Sequence, residues 1–285
     1  MELHLTAQRE GKLSSLLRHD LKLSATLVNR LKWKEAFLVN GIPQRTNFPV
    51  KSGDVITVRL DEEAPEYPAQ DGELSIVYED EWLLAVDKPS GMLIHPSRAK
   101  NEGTLANFVA GYYQKAGQCA AFHPLTRLDR DTFGVVLVAK NAHIHALLQE
   151  AHPQKTYEAL VYGTPPQPEG EVTAPIARCE MPSLLRRIDP AGKPCRTLYR
   201  VLESGEHFSR LELHPVTGRT HQLRLHCAYL GCPILGDPQY GSPESMAFSQ
   251  TLGLFSQLLC AKKITFPHPI TNENITVTSK LDVRL

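Results

Sequence analysis

"LTRLDRDTFGVVLVAK", residues 125–140, sets two aspartates among three cations and then runs into the apolar stretch Val135–Val138. A short apolar run without alternation, bounded by turn residues, is the pattern of a strand covered on both faces. The charged segment before it therefore sits at the edge of a predicted strand. Asp129 and Asp131 are either a reactive site or a charged turn, and the surrounding elements have to decide. Upstream, "SIVYEDEWLLAVDKPSG" predicts two strands around a tight acidic turn, ending at Pro89-Ser90-Gly91. "TLANFVAGYYQK" predicts a helix capped by Thr104, with Leu105, Phe108, Val109 and Tyr112 on one face. Downstream, "NAHIHALLQE" is a short helix capped by Asn141 and "KTYEALVYG" a strand. "RTLYRVLESGEHFSRLELH" is a hairpin turning near Ser204-Gly205, and "HPVTGRTHQLRLHCAYLG" is a loop running into a helix that ends at Gly231. Strands dominate, some pair locally, and no βαβ rhythm recurs. The class expected is α+β with a mixed, largely antiparallel sheet.

The N-terminal part differs in charge. The chain carries 31 basic and 31 acidic residues, a formal net charge of zero. Between residues 11 and 60, however, nine Lys/Arg face three acids, whereas residues 61–81 hold nine acids and no Lys or Arg. Such a switch of sign marks a boundary. The basic stretch predicts two short helices, the second capped by Ser24 with Leu27, Val28 and Leu31 on its apolar face. A hairpin follows, turning on Asn40-Gly41, and then a strand in "KSGDVITVRL". The expected division is a basic module over 1–60, an acidic Pro-containing linker over 61–72, and a larger domain over 73–285.

Composition excludes several classes. With 42% apolar and 22% charged residues in 285, the chain is ordinary globular protein, long enough to fold without disulfides or a metal. Its six cysteines form no Cys-x-x-Cys pattern, which fits free thiols in a reducing compartment. "MELHLTAQRE" has no apolar core of a secretory signal, and the apolar runs fall far short of the ~18 residues of a membrane helix. A cytoplasmic protein with no membrane attachment, monomeric by default, is expected.

Candidate chemistries narrow quickly. Carboxylates two apart in an extended segment sit about 7 Å from each other, but a glycosidase draws its pair from different elements. An Asp-x-Asp phosphatase nucleophile follows an apolar strand, and here the strand comes after. There is no Walker loop and no Gly-x-Gly-x-x-Gly. His143 and His145 would not face each other on a helix, and His221/His226 and Cys227/Cys232 lack metal-ligand spacing.

Three segments survive: "RLDRDTFG", "KTYEALVYG" and "HPVTGRTHQLRLH", in that order. Together, and with "DKPSGMLIHP" and "LGDPQYG", they resemble the RluA-type RNA pseudouridine synthases over most of residues 73–285. Residues 11–60 likewise resemble the small αα-plus-sheet RNA-binding module of a ribosomal small-subunit protein and of tyrosyl-tRNA synthetases. Thr126 and Phe133 stand where the synthase pattern has His and Ser, and neither position carries the nucleophile.

The resemblance implies that uridines in structured RNA, ribosomal RNA ahead of tRNA, are isomerised with no metal, nucleotide or redox cofactor. Asp129 would be the nucleophile, acting at carbon-6 of the base or at the anomeric carbon. Tyr157 would stack on the flipped base, with assistance in removing the carbon-5 proton as its alternative role. Arg219 would be the cation beside Asp129, since an arginine within ~4–6 Å favours an ionised carboxylate. Arg127 would fill the space the base leaves or hold a phosphate, and Lys155, His221 and Arg224 would be phosphate or pocket-wall residues. Asp131 would hold the loop, with Thr132 and Gly134. In the basic module, Lys12, Arg18, Arg30, Lys32 and Lys34 are the candidates for phosphate contact. The alternative is an RNA-binding protein whose synthase fold is inactive.

Overall fold

The computed structural model describes residues 1–61, 66–97, 100–180, 183 and 185–285. Residues 62–65 of the expected linker lie outside the described residues. Chain order gives β1 (Glu2–Thr6), β2 (Gly11–Lys12), α1 (Leu13–His19), α2 (Ala25–Leu31), β3 (Phe37–Val39), β4 (Ile42–Pro43), β5 (Pro49–Val50) and β6 (Val55–Arg59). The larger part begins with β7 (Ser75–Glu79), β8 (Leu83–Lys88), α3 (Leu105–Lys115), β9 (His123–Pro124), β10 (Phe133–Ala139), α4 (Ala142–Glu150) and β11 (Gln154–Tyr162). It continues with β12 (Glu169–Val172), β13 (Ile176–Arg178), β14 (Arg186–Ile188), β15 (Thr197–Ser204), β16 (Phe208–Pro215), α5 (Gln222–Tyr229), α6 (Pro243–Thr251), β17 (Leu259–Pro267) and β18 (Asn274–Thr278).

In the N-terminal part the local signals hold. Ser24 Oγ accepts from the Leu27 amide at 3.1 Å, and Val28 and Leu31 face inward. Asn40 and Gly41 take φ of 50° and 79°, closing the β3–β4 hairpin. The sheet runs β1-β6-β3-β4, so the segment before residue 11 supplies an edge strand that the sequence reading left out.

The larger sheet runs β12-β15-β16-β11-β17-β10-β8-β7, with β18 on β17 and β9 on β10. Its pairings are antiparallel except β10 with β17. That parallel joint occurs at Phe133↔Cys260 and Gly134↔Ala261. Gly134 has φ 106°, and a Cβ there would lie 2.4 Å from the Ala261 carbonyl oxygen. Only glycine lets the charged loop turn into the sheet this close to β17. Thr104 and Asn107 form a capping box on α3. The buried face of α3 centres on Leu105, Val109 and Tyr113, leaving Phe108 and Tyr112 half-buried at its edge.

One buried cluster runs without a break from Leu17, Leu31, Phe37 and Val58 to Trp82, Leu137, Ala139, Ile144 and Leu148. The basic part is thus packed on the β10–α4 face of the large sheet. His143, at 9% exposure, sits in this region, and burial pushes its pKa from 6.5 down to about 4. The unfolded chain therefore takes up this proton first as pH falls, and stability is lost progressively between pH 6.5 and 4. We expect His143→Phe to remove roughly 3 kcal/mol of the difference in unfolding free energy between pH 7 and pH 4. Urea titrations at both pH values measure it, and an equal pH dependence in both proteins contradicts it.

Candidate active site

The loop between β9 and β10 is anchored from below. Lys88, fully buried at the end of β8, donates to the carbonyls of Pro89, Met92 and Arg130 at 3.0, 2.9 and 2.8 Å. Burial lowers its pKa to about 8, against the pull of Asp131 and Asp129. Ser90 Oγ donates to the Asp131 carbonyl, and Gln257 Nε2 to Thr132 Oγ1. The Asp131 carboxylate pairs with its neighbour Arg130 at 2.9 Å, away from the cleft. The Thr132 amide donates to the Asp129 carbonyl at 3.2 Å, which closes the loop tightly. The result holds the Asp129 side chain, 27% exposed, at the floor of a cleft of ≈1250 Å³.

Facing Asp129 is α5. Arg224 Nη1 donates to Asp129 Oδ2 at 3.2 Å. Its Nε and Nη2 donate to the two oxygens of Asp237 at 2.7 Å each, and Nη2 also to Gln239 Oε1 at 2.8 Å. The Tyr240 ring lies 5.0 Å from the guanidinium. Burial opposes this charge, but the hydrogen bonds and charges of Asp237 and Asp129 outweigh it and raise the pKa. Asp237 is itself fixed, because its Oδ1 accepts from the amides of Gln239 and Tyr240. The chain of constraint runs from a turn, through Asp237, to Arg224 and then to Asp129.

His221 caps α5 in a left-handed conformation, φ 58°. Its Nε2 is 3.8 Å from Asp129 Oδ2, and its Nδ1 is 2.7 Å from the Tyr240 hydroxyl. Burial lowers its pKa, despite the nearby Asp129 charge. Gln222 holds this turn. Its oxygen accepts from Thr217 Oγ1 and the Arg219 amide, and its nitrogen donates to the Arg196 carbonyl and Thr197 Oγ1, all within 2.8–3.0 Å.

Arg219 does not reach Asp129. It belongs to the exposed turn before α5, and its Nε lies 3.4 Å from the Pro194 carbonyl. The helix begins at Gln222, so Arg224 is the arginine that its buried face turns toward the loop. Asp237, Gln239 and Tyr240 were also passed over. Their segment, "LGDPQYG", was part of the resemblance, but 108 positions separate Asp237 from Asp129 and no local pattern joins them.

Tyr157 is half-buried in the cleft wall, where the β11–β17 register shifts and Lys262 of β17 is the extra residue. Loss of water and the Asp129 charge raise its pKa above that of a free phenol. Arg127, exposed, and Lys155, half-buried, line the same cleft. Four cations (Arg127, Lys155, Arg219, Arg224) and four histidines line it, against Asp129 as the one carboxylate among the described lining residues. A chain of zero net charge thus concentrates positive potential around a single acid, the field that draws in a polyanion.

Of the module residues, Arg30 and Lys34 are tied to Asp61 at 3.2 and 2.7 Å. Lys12 and Arg18 have no ion pair among the described residues, and Lys32 lies 5.1 Å over the exposed ring of Trp33.

Comparison with known proteins identifies a family. The family model for RNA pseudouridylate synthase matches residues 82–229, a span that holds Asp129, Tyr157 and Arg224. An uncharacterised RNA pseudouridine synthase of Bacillus subtilis is 35% identical over 96% of this chain and 91% of its own length. The ribosomal large subunit pseudouridine synthase C of Vibrio cholerae is 32% identical, over 96% of this chain and 90% of its own. Among solved structures, human RNA pseudouridylate synthase domain containing 1 superposes with a TM-score of 0.60 at 27% identity, covering 74% of this chain and 84% of that one. The chain belongs to the RNA pseudouridylate synthase family.

Proposed function

We propose that the chain isomerises uridines in structured ribosomal RNA, as an RluA-type synthase with Asp129 as its nucleophile. The observation that carries the reading is one carboxylate, held by a buried arginine, in a cleft whose other charged residues, among the described lining, are cations. The relatives named as ribosomal large subunit synthases favour ribosomal RNA as the substrate. That substrate would place the enzyme in the cytoplasm.

A uridine inside a helix cannot meet Asp129, so it leaves the stack at a cost of a few kcal/mol. Arg127, exposed at the cleft mouth, is suited to fill the gap or hold a backbone phosphate. The base then lies on Tyr157. A phenol whose pKa is raised keeps its proton, which favours stacking over proton abstraction. Asp129 attacks carbon-6 or the anomeric carbon, the bond to nitrogen-1 breaks, and the uracil turns. Carbon-5 bonds to the sugar and releases its proton, nitrogen-1 gains one, and the bond to the Asp129 carboxylate breaks to free it, so nothing is consumed. Arg224 balances the Asp129 charge without needing to move. His221, its pKa lowered by burial, stands 3.8 Å from the same oxygen.

The basic part, in this reading, grips the RNA outside the cleft through Lys12, Arg18 and Lys32. Its shared core with the large sheet makes charge removal a cleaner test than deletion. Replacing these three by alanine is expected to lower the salt slope of RNA binding by about two to three. The pair Arg30 and Lys34, already engaged by Asp61, should matter less. A slope unchanged in the triple variant contradicts the assignment. The reading as a whole is tested by mapping pseudouridines in ribosomal RNA from cells with and without this protein. Loss of one or a few sites is expected; an identical map overturns it.

A further inference from the structure

The cleft exceeds what one nucleotide needs. Small-ligand pockets run about 300–1,000 Å³, and this one is ≈1250 Å³. Part of its lining forms a lobe from the C-terminal half of α4 and the start of β11. Thr126, His145, Gln149, His152 and Lys155 line it.

Lys155 stands two residues before Tyr157, about 6.6 Å along the strand. It is half-buried, has no ion-pair partner among the described residues, and burial pushes its pKa down. A cation withdrawn from water without a carboxylate beside it is destabilising unless an anion completes the site. His145 is held in one orientation. Its ring hydrogen-bonds the Pro124 carbonyl, and its Nε2 is 3.4 Å from Gln149 Nε2. The His123 ring lies 5.8 Å from this half-buried ring at a 35° tilt, so the π-face turned away from His123 is what it has to offer. The lobe has no carboxylate among its described lining residues, so nothing in it repels a phosphate.

We propose that this lobe binds the nucleotide adjoining the target uridine, its phosphate on Lys155 and its base stacked on His145. The inference rests on the reading of the cleft as a uridine site in RNA. The test uses a stem-loop substrate made intact and with each flanking nucleotide abasic in turn. KM and the saturating single-turnover rate are measured for wild type, His145→Ala and His145→Phe. His145→Ala should raise KM about tenfold on intact RNA with the saturating rate unchanged. His145→Phe, which keeps a ring but loses both hydrogen bonds, should keep the wild-type KM. Removing the base on one flank should raise the wild-type KM by the same factor and abolish the difference between wild type and His145→Ala. Lys155→Gln should lower the salt slope of binding by about one. An unchanged KM in His145→Ala, or losses that multiply on both abasic RNAs, overturns the proposal. If the wild type forms no pseudouridine, the functional reading fails, and RNA dissociation constants for the same set still decide whether the lobe holds a base.

Discussion

Arg224→Met is expected to lose both stability and activity, whereas Arg219→Met should lose little of either. The Arg224 and Asp237 side chains are 5% and 1% exposed and form a two-point ion pair. Removing one partner leaves the other charge buried and uncompensated, which costs about 3–5 kcal/mol. Against a typical total of about 5–15 kcal/mol, that is a large drop in Tm. The surviving folded protein would lack the cation at Asp129, and loss of one such preorganised electrostatic contact costs about 10²–10³ in rate. Arg224→Lys keeps the charge but cannot serve Asp237, Gln239 and Asp129 together, so it should fold better than Arg224→Met and remain slow. Arg219 is exposed, and its replacement should stay within about 0.5 kcal/mol in stability. Thermal unfolding and single-turnover assays measure both effects. A stable, active Arg224→Met protein would contradict the ion-pair architecture.

Why the sequence pointed to Arg219, and not Arg224, as the cation beside Asp129 is physically plain. "TGRTHQLR" offers arginines at 219 and 224, and the choice depends on where the helix begins. Helix starts are read from caps, but here the cap is His221 in a left-handed conformation with no side-chain cap hydrogen bond. Where ordinary local chemistry governs, the reading succeeded. Ser24, Asn141 and Thr104 cap the helices expected of them, Asn40-Gly41 turns its hairpin, and β15 and β16 meet across Ser204-Gly205. What escaped is non-local. β17 lies between β10 and β11, completing the centre of the sheet from about 100 positions further along the chain. Nothing in "LCAKKITFP" by itself announces those partners. Asp237 is one side of the site for the same reason. The place of the loop that carries Asp129, by contrast, was legible because the loop, its following strand and the glycine at its turn are contiguous.

Asp129→Asn carries the largest expected effect on the reaction. Asparagine has the same shape and can still accept a hydrogen bond from Arg224, while Asp237 keeps that arginine paired. The fold and the cationic cleft should therefore survive, and RNA binding with them. What disappears is the nucleophile, and removing such a group from an enzyme that acts through a covalent step costs about 10⁴-fold or more. The most direct test is tritium release from ribosomal RNA labelled at carbon-5 of uridine, run beside an RNA-binding measurement on the same proteins. Wild type is expected to release label, and Asp129→Asn to bind RNA equally well and release none. Label released by Asp129→Asn at the wild-type rate would contradict the assignment of Asp129 as the nucleophile.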